Sequence, residues 1–99
     1  MVKIVWTELS LIDLKEVFDY IAENSQHYAS ITSSKIYQRV QLIVDNPFSG
    51  RIVNEFNEKS IRELIEGNYR IIYKIKTDNQ VDILRVYHSA RLLRRSEID

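Results

Sequence analysis

Two kinds of hydrophobic spacing divide this chain. Between Leu11 and Val44 apolar side chains recur every three to four residues, and from Ser60 to Tyr87 they fall into short alternating runs. The first period lines one face of a helix and the second one face of a strand. Leu11, Leu14, Phe18 and Ile21, with Val17 beside them, predict a helix running to about Glu23. Ser10-Leu11-Ile12-Asp13 has capping-box spacing at its start, and Thr7 is an equally good cap. Ala29, Thr32, Ile36, Val40 and Ile43 predict a second helix, ended by Asp45-Asn46-Pro47. The short polar stretch Asn24–His27 between them implies an antiparallel hairpin.

Before the helices, Val2, Ile4 and Trp6 alternate with Lys3 and Val5 as a short strand. After them, Phe48–Asn57 reads as irregular with a turn at Gly50, and strands are predicted at about Ser60–Ile65, Tyr69–Lys76 and Val81–Tyr87. Strand, two helices and three strands make an α+β domain, with the helices on one face of an antiparallel sheet. We expect one domain over residues 1–99.

Register decides which side chains share a face. A three-residue loop Glu66-Gly67-Asn68 gathers Ile61, Ile65, Tyr69, Ile71, Tyr73 and Ile75 under the helices, with Glu63 the misfit. Arg62, Leu64, Arg70, Ile72 and Lys74 then share the outer face. A two-residue turn at Asp78-Asn79 sends Leu84 and Val86 to the core and leaves Ile83, Arg85 and Tyr87 beside Arg70. The expected outer face is apolar in patches and rimmed by cations, the character of an interaction surface.

The formal net charge of zero is unevenly spread. Residues 1–58 carry five Lys/Arg against eight Asp/Glu, while residues 59–95 carry nine against four. A basic half on a neutral chain fits an anionic partner met by one face, and argues against general coating of nucleic acid. The absence of cysteine excludes disulfides, thiol catalysis and cysteine-ligated metal sites. His27 and His88 have no acidic neighbours at ligand spacing, so neither metal nor cofactor is expected. No apolar stretch reaches the ~20 residues of a membrane span and the first residues form no signal sequence, so a cytoplasmic location away from membranes is expected.

Several segments in order resemble one superfamily. They are Trp6-Thr7 leading into the first helix, Asp13-Leu14, Asn46-Pro47 through Gly50-Arg51, Ile61-Arg62-Glu63-Leu64, Gly67-Asn68-Tyr69-Arg70-Ile71-Ile72-Tyr73, and Val86-Tyr87-His88 with Arg91. The series looks like the RelE/ParE superfamily, the toxins of type II toxin–antitoxin modules, also known as plasmid-stabilisation proteins. The resemblance spans nearly the whole chain. It implies a helical hairpin on a curved antiparallel sheet, a short C-terminal helix, growth inhibition by the free toxin, and a cognate antitoxin whose C-terminal segment wraps it. Operator DNA would be met only through that antitoxin.

RelE-like members cut mRNA on the ribosome and ParE-like members poison DNA gyrase. Cleavage by a 2′-hydroxyl needs a base, an acid for the leaving oxygen and cations on the phosphate. By resemblance those roles fall to Arg62, Arg70, Tyr87 and His88, with Glu55 in the place of a carboxylate base. Ser89 stands where the YoeB-like branch has an aromatic residue, and the lysines of RelE around Ile61–Glu63 are missing. His88-Ser89-Ala90-Arg91 instead resembles a ParE-like ending, followed by the basic stretch through Arg94 and Arg95. The resemblance therefore favours gyrase as the target, gripped by Arg70, Arg85, Arg91, Arg94 and Arg95. Ribosome-dependent mRNA cleavage is the alternative, and an inactive homologue that only binds antitoxin is a further one. The antitoxin is expected on the outer-face residues Leu64, Ile72, Ile83 and Arg62.

Overall fold

Thr7 turns the chain from its first strand into its first helix. A computed structural model describes residues 1–89 and 94–98. Strand β1 spans Lys3–Trp6, and helix α1 follows at Glu8–Ala22. The Thr7 hydroxyl accepts a hydrogen bond from Ser10 N–H at 3.2 Å, so Thr7 is the cap. The same hydroxyl donates to Ile83 O at 2.7 Å, and Thr7 N–H donates there at 3.1 Å, which ties the helix start to the sheet. Helix α2, Gln26–Gln41, is capped by Ser25, whose hydroxyl accepts from Tyr28 N–H at 3.0 Å. It buries Ala29, Ile36 and Val40, the spacing seen in the sequence. Two short 3₁₀ turns, Leu42–Val44 and Pro47–Ser49, lead back to the sheet.

Four further strands follow: β2 (Arg51–Ile52), β3 (Ile61–Glu66), β4 (Tyr69–Thr77) and β5 (Gln80–His88). Their order across the sheet is β1-β5-β4-β3-β2. The expected meander β3-β4-β5 is present, and the α+β class holds. The sheet is not wholly antiparallel: β1 lies parallel to β5, Lys3 opposite Gln80 and Trp6 opposite Ile83. The expected C-terminal helix falls largely on residues 90–93, outside the described residues; Arg95–Glu97 form a single 3₁₀ turn.

Register differs from expectation on β3. Glu66 pairs with Tyr69 across a two-residue turn, Gly67-Asn68, in which Gly67 takes a φ of +58°. Ile61, Glu63 and Ile65 therefore face outward with Arg70 and Ile72, and Arg62 and Leu64 face the helices. The Asp78-Asn79 turn is as expected, but two bulges shift β5. One leaves Lys76 unpaired and the other Leu84. The result puts Val81, Ile83 and Val86 inward, while Leu84 packs on the outer side.

Both faces of the sheet are buried. On one, Leu64, Ile71, Tyr73, Val81, Ile83 and Val86 pack against Ile36, Val40 and Ile43. On the other, Val53, Ile61, Ile72 and Tyr87 form a second cluster with Phe56, Leu84 and Ile98. The chain covers its own outer face with the segment after β2 and with its C-terminal turn.

Candidate functional site

Arg70 lies at the centre of the outer face. Its position in β4 sets it opposite Ile65 on β3 and Tyr87 on β5. Glu63 projects to the same side, and its Oε1 accepts from Arg70 Nε at 2.7 Å. From the segment after β2, Glu55 closes the other edge of the guanidinium: Nη1 donates to Oε2 at 2.8 Å and Nη2 to Oε1 at 3.1 Å. Glu63 Oε2 also accepts from Arg51 Nε at 3.2 Å. The side chains are 7 % exposed at Arg70, 2 % at Glu63 and 21 % at Glu55, so Arg70 and Glu63 are buried, while Glu55 and the largely exposed Arg51 carry the network to the surface. The hydrogen bonds to Glu55 raise the Arg70 pKa further, burial opposes them, and Glu63 adds to the rise. Glu63, the misfit of the expected register, is the fixed partner of this arginine.

Arg62 is not part of the network. It points to the helix side, where Nε donates to Lys59 O at 2.9 Å and Nη1 to Gly50 O at 2.9 Å and Phe48 O at 3.3 Å. Its guanidinium lies 4.9 Å from the Phe48 ring centroid. The arginine clamps the loop before β2, and the expected pairing of Arg62 with Arg70 on one face is corrected. The expected antitoxin surface is corrected with it. Leu64 and Ile83 lie in the helix-side core, and Ile72, on the outer side, is sealed beneath the second cluster.

The remaining residues gather along β5. Arg85 binds Asp13 of α1 through Nε–Oδ2 at 2.7 Å and Nη2–Oδ1 at 2.9 Å, donates to Glu97 O at 2.8 Å, and stacks 4.6 Å over Tyr87. Hydrogen bonding to Asp13 raises its pKa, burial opposing. The Tyr87 hydroxyl donates to Glu97 Oε2 at 2.7 Å. His88 ends the strand, exposed and edge-on to Tyr69 at 5.9 Å. Arg95 pairs with Glu58 and lies 4.6 Å over Phe56, and Arg94 is exposed. Arg91 lies outside the described residues.

Arg70 and Glu55 are thus brought together, Arg85 and Tyr87 join a separate group with Asp13 and Glu97, and Arg62 stands apart. Nothing in the sequence pointed to the pairing of Arg85 with Asp13 or Glu97, which lie 72 and 12 residues from it. Glu63 had one: the Gly67-Asn68 dipeptide favours the two-residue turn that carries it to Arg70's side.

Comparison with known proteins agrees with this architecture. The protein named Toxin RelE2 from Caulobacter vibrioides is 29% identical over 92 residues, 93% of this chain and 100% of that protein. The chromosomal ParDE system from P. aeruginosa contains a chain of the same fold, with a TM-score of 0.73 at 22% identity over 89% of this chain and 96% of that one. The E. coli DinJ–YafQ complex contains another, with a TM-score of 0.62 at 17% identity over 95% and 100%. The sequence model of the family described as "ParE toxin of type II toxin-antitoxin system, parDE" matches residues 4–93. That match takes in both helices, the sheet and the Arg70 network, and it makes this chain a member of the ParE toxin family of type II toxin–antitoxin systems, within the RelE/ParE superfamily.

Proposed function

We propose that this toxin stops growth by binding and inhibiting DNA gyrase, without cutting RNA, and that a cognate antitoxin neutralises it. The observation that carries the reading is the state of Arg70. Stabilising a phosphodiester transition state takes a cation aimed at the developing charge. Here that cation faces two carboxylates, one of them bidentate. A phosphate arriving beside Glu55 and Glu63 meets like charge in a poorly solvated place. Arg62 is on the other face, and the Tyr87 hydroxyl donates to Glu97, so the set named for cleavage does not converge. A formal net charge of zero further disfavours a ribosomal target. The antitoxin reading is supported by the ParDE and DinJ–YafQ relatives, which are toxin–antitoxin systems.

Expressing the chain without an antitoxin tests this. The expected result is arrested growth with a DNA-damage response and intact mRNA. Codon-positioned cuts in mRNA would overturn the proposal in favour of a nuclease, and normal growth would point to an inactive homologue.

A further inference from the structure

The exposed apolar surface of this protein is gathered on its helical hairpin. Among the described residues, seven of the ten exposed large apolar side chains lie on α1 and α2, and an eighth, Leu42, caps α2. Leu9, Leu11 and Ile12 stand at the start of α1, level with the Leu42 end of its antiparallel neighbour. An apolar patch so concentrated marks a place of protein contact.

The two helices differ in the sign of their charge. On α1, Asp13 is taken by Arg85 and Asp19 by Lys15. That leaves exposed Glu8 and Glu16 without an ion-pair partner among the described residues. Helix α2 has no Asp or Glu, and its Lys35 and Arg39 are likewise without one. Glu16 and Lys35 lie on opposite long edges of the hairpin. Helix α1 rests on β5, and Glu16 borders the cleft there with Val17 and Val86. Helix α2 rests on β3, across β4 from β5, and Lys35 and Arg39 border its cleft with Glu66. Even with Glu66 counted, that edge stays positive.

We propose that two copies of this chain associate through their hairpins about a two-fold axis parallel to the helices, each α1 lying on the partner copy's α2. This axis superimposes opposite edges, so the carboxylate edge of one copy meets the cationic edge of the other. It also keeps the ends level, and Leu9 and Ile12 of one copy meet Leu42 of the other. An axis across the helices would set α1 on α1 and bring carboxylate edge against carboxylate edge, which like charges oppose. A second copy fits this face because the hairpin carries both halves of its own complement, as an isologous contact requires. The area is small. Helices of 15 and 16 residues side by side present roughly 24 by 20 Å, about 500 Å² per copy, against about 800 Å² in a standard interface. The dimer is therefore weak and reversible.

Sedimentation equilibrium of the full chain from about 5 µM to about 1 mM covers the range such an area supports. The expected result is a monomer–dimer equilibrium with a Kd of roughly 100 µM. Lys35→Glu and Glu16→Lys should each weaken it about tenfold, since the symmetry repeats every swap twice. An equimolar mixture of the two variants should recover wild-type association, because each reversed edge then meets its reversed complement. A monomer at every concentration would overturn the proposal and assign the face to a different protein. Association that both variants keep, or that the mixture fails to recover, would overturn it as well. Should either variant fail to fold, the wild type decides alone. Concentration-dependent amide shifts centred on Leu11, Ile12 and Ile31 support the hairpin contact, and shifts centred on Arg70 refute it.

Discussion

Asp13 and Arg85 grip each other through two parallel hydrogen bonds of 2.7 and 2.9 Å across 72 residues of sequence. Asp13 Oδ2 also accepts from Val86 N–H at 3.0 Å. One carboxylate of α1 therefore holds both a backbone group and a side chain of β5. Breaking a buried ion pair from one side leaves a charge without its partner, which costs more than the pair contributes net. Asp13→Ala should destabilise the fold by about 3 kcal/mol, measured by urea unfolding. A double-mutant cycle with Arg85→Ala should return a coupling of about 2 kcal/mol. Additive single effects would contradict the tie.

Gly50 is fixed by space. A Cβ there would sit 2.5 Å from Tyr73 Oη and 2.6 Å from Glu63 O, and the second of these is strand backbone. Gly50→Ala should cost about 2 kcal/mol or more, read as a lowered urea midpoint. Adding Tyr73→Phe should recover only part of the loss, because the Glu63 carbonyl remains.

Tyr73 gives the fold an alkaline limit. Its hydroxyl donates to Pro47 O at 2.6 Å and accepts from Gly50 N–H at 2.9 Å, with the side chain fully buried. Burial raises its pKa, partly offset by the Gly50 bond and the nearby Arg62 charge. A raised folded-state pKa means stability that is complete below the ordinary tyrosine value and lost as pH rises through the raised one. Tyr73→Phe should lower stability at neutral pH by about 2 kcal/mol. It should also flatten the decline above about pH 10, as followed by thermal melting across pH.

Arg62 is predicted to act through structure alone. Its three carbonyl partners need the spread of a guanidinium, which an ammonium cannot reproduce. Arg62→Lys should lower stability by about 1 kcal/mol and reduce toxicity no more than that loss accounts for. Abolished toxicity with an unchanged melting temperature would restore a direct role.

The second helix was legible because it has one dry face whose period survives in the letters, and Ala29, Ile36 and Val40 are the plain case. In the first helix Ser10 and Asp13 are the buried residues, Leu14, Val17, Phe18 and Ile21 are half-buried, and Leu11, expected in its apolar stripe, is exposed. Register was harder, because the sheet is dry on both sides. Ile61 and Ile72 lie under the chain's own loop and Leu64 and Ile71 under the helices, so alternation of apolar and polar residues could not say which face was which. Two bulges, at Lys76 and Leu84, then exchanged the expected places of Ile83 and Leu84, and bulges leave little mark in sequence. The arginines were found, but not their partners. Glu55, Glu63, Asp13 and Glu97 approach through tertiary contacts, and those contacts turn apparent surface cations into a bound network.

The most direct measurement is gyrase supercoiling of relaxed plasmid with the purified toxin, beside ribosomes translating a defined mRNA. Supercoiling that falls with toxin concentration while the mRNA stays whole is the predicted result. Undiminished supercoiling together with mRNA cut at the ribosome would contradict the account.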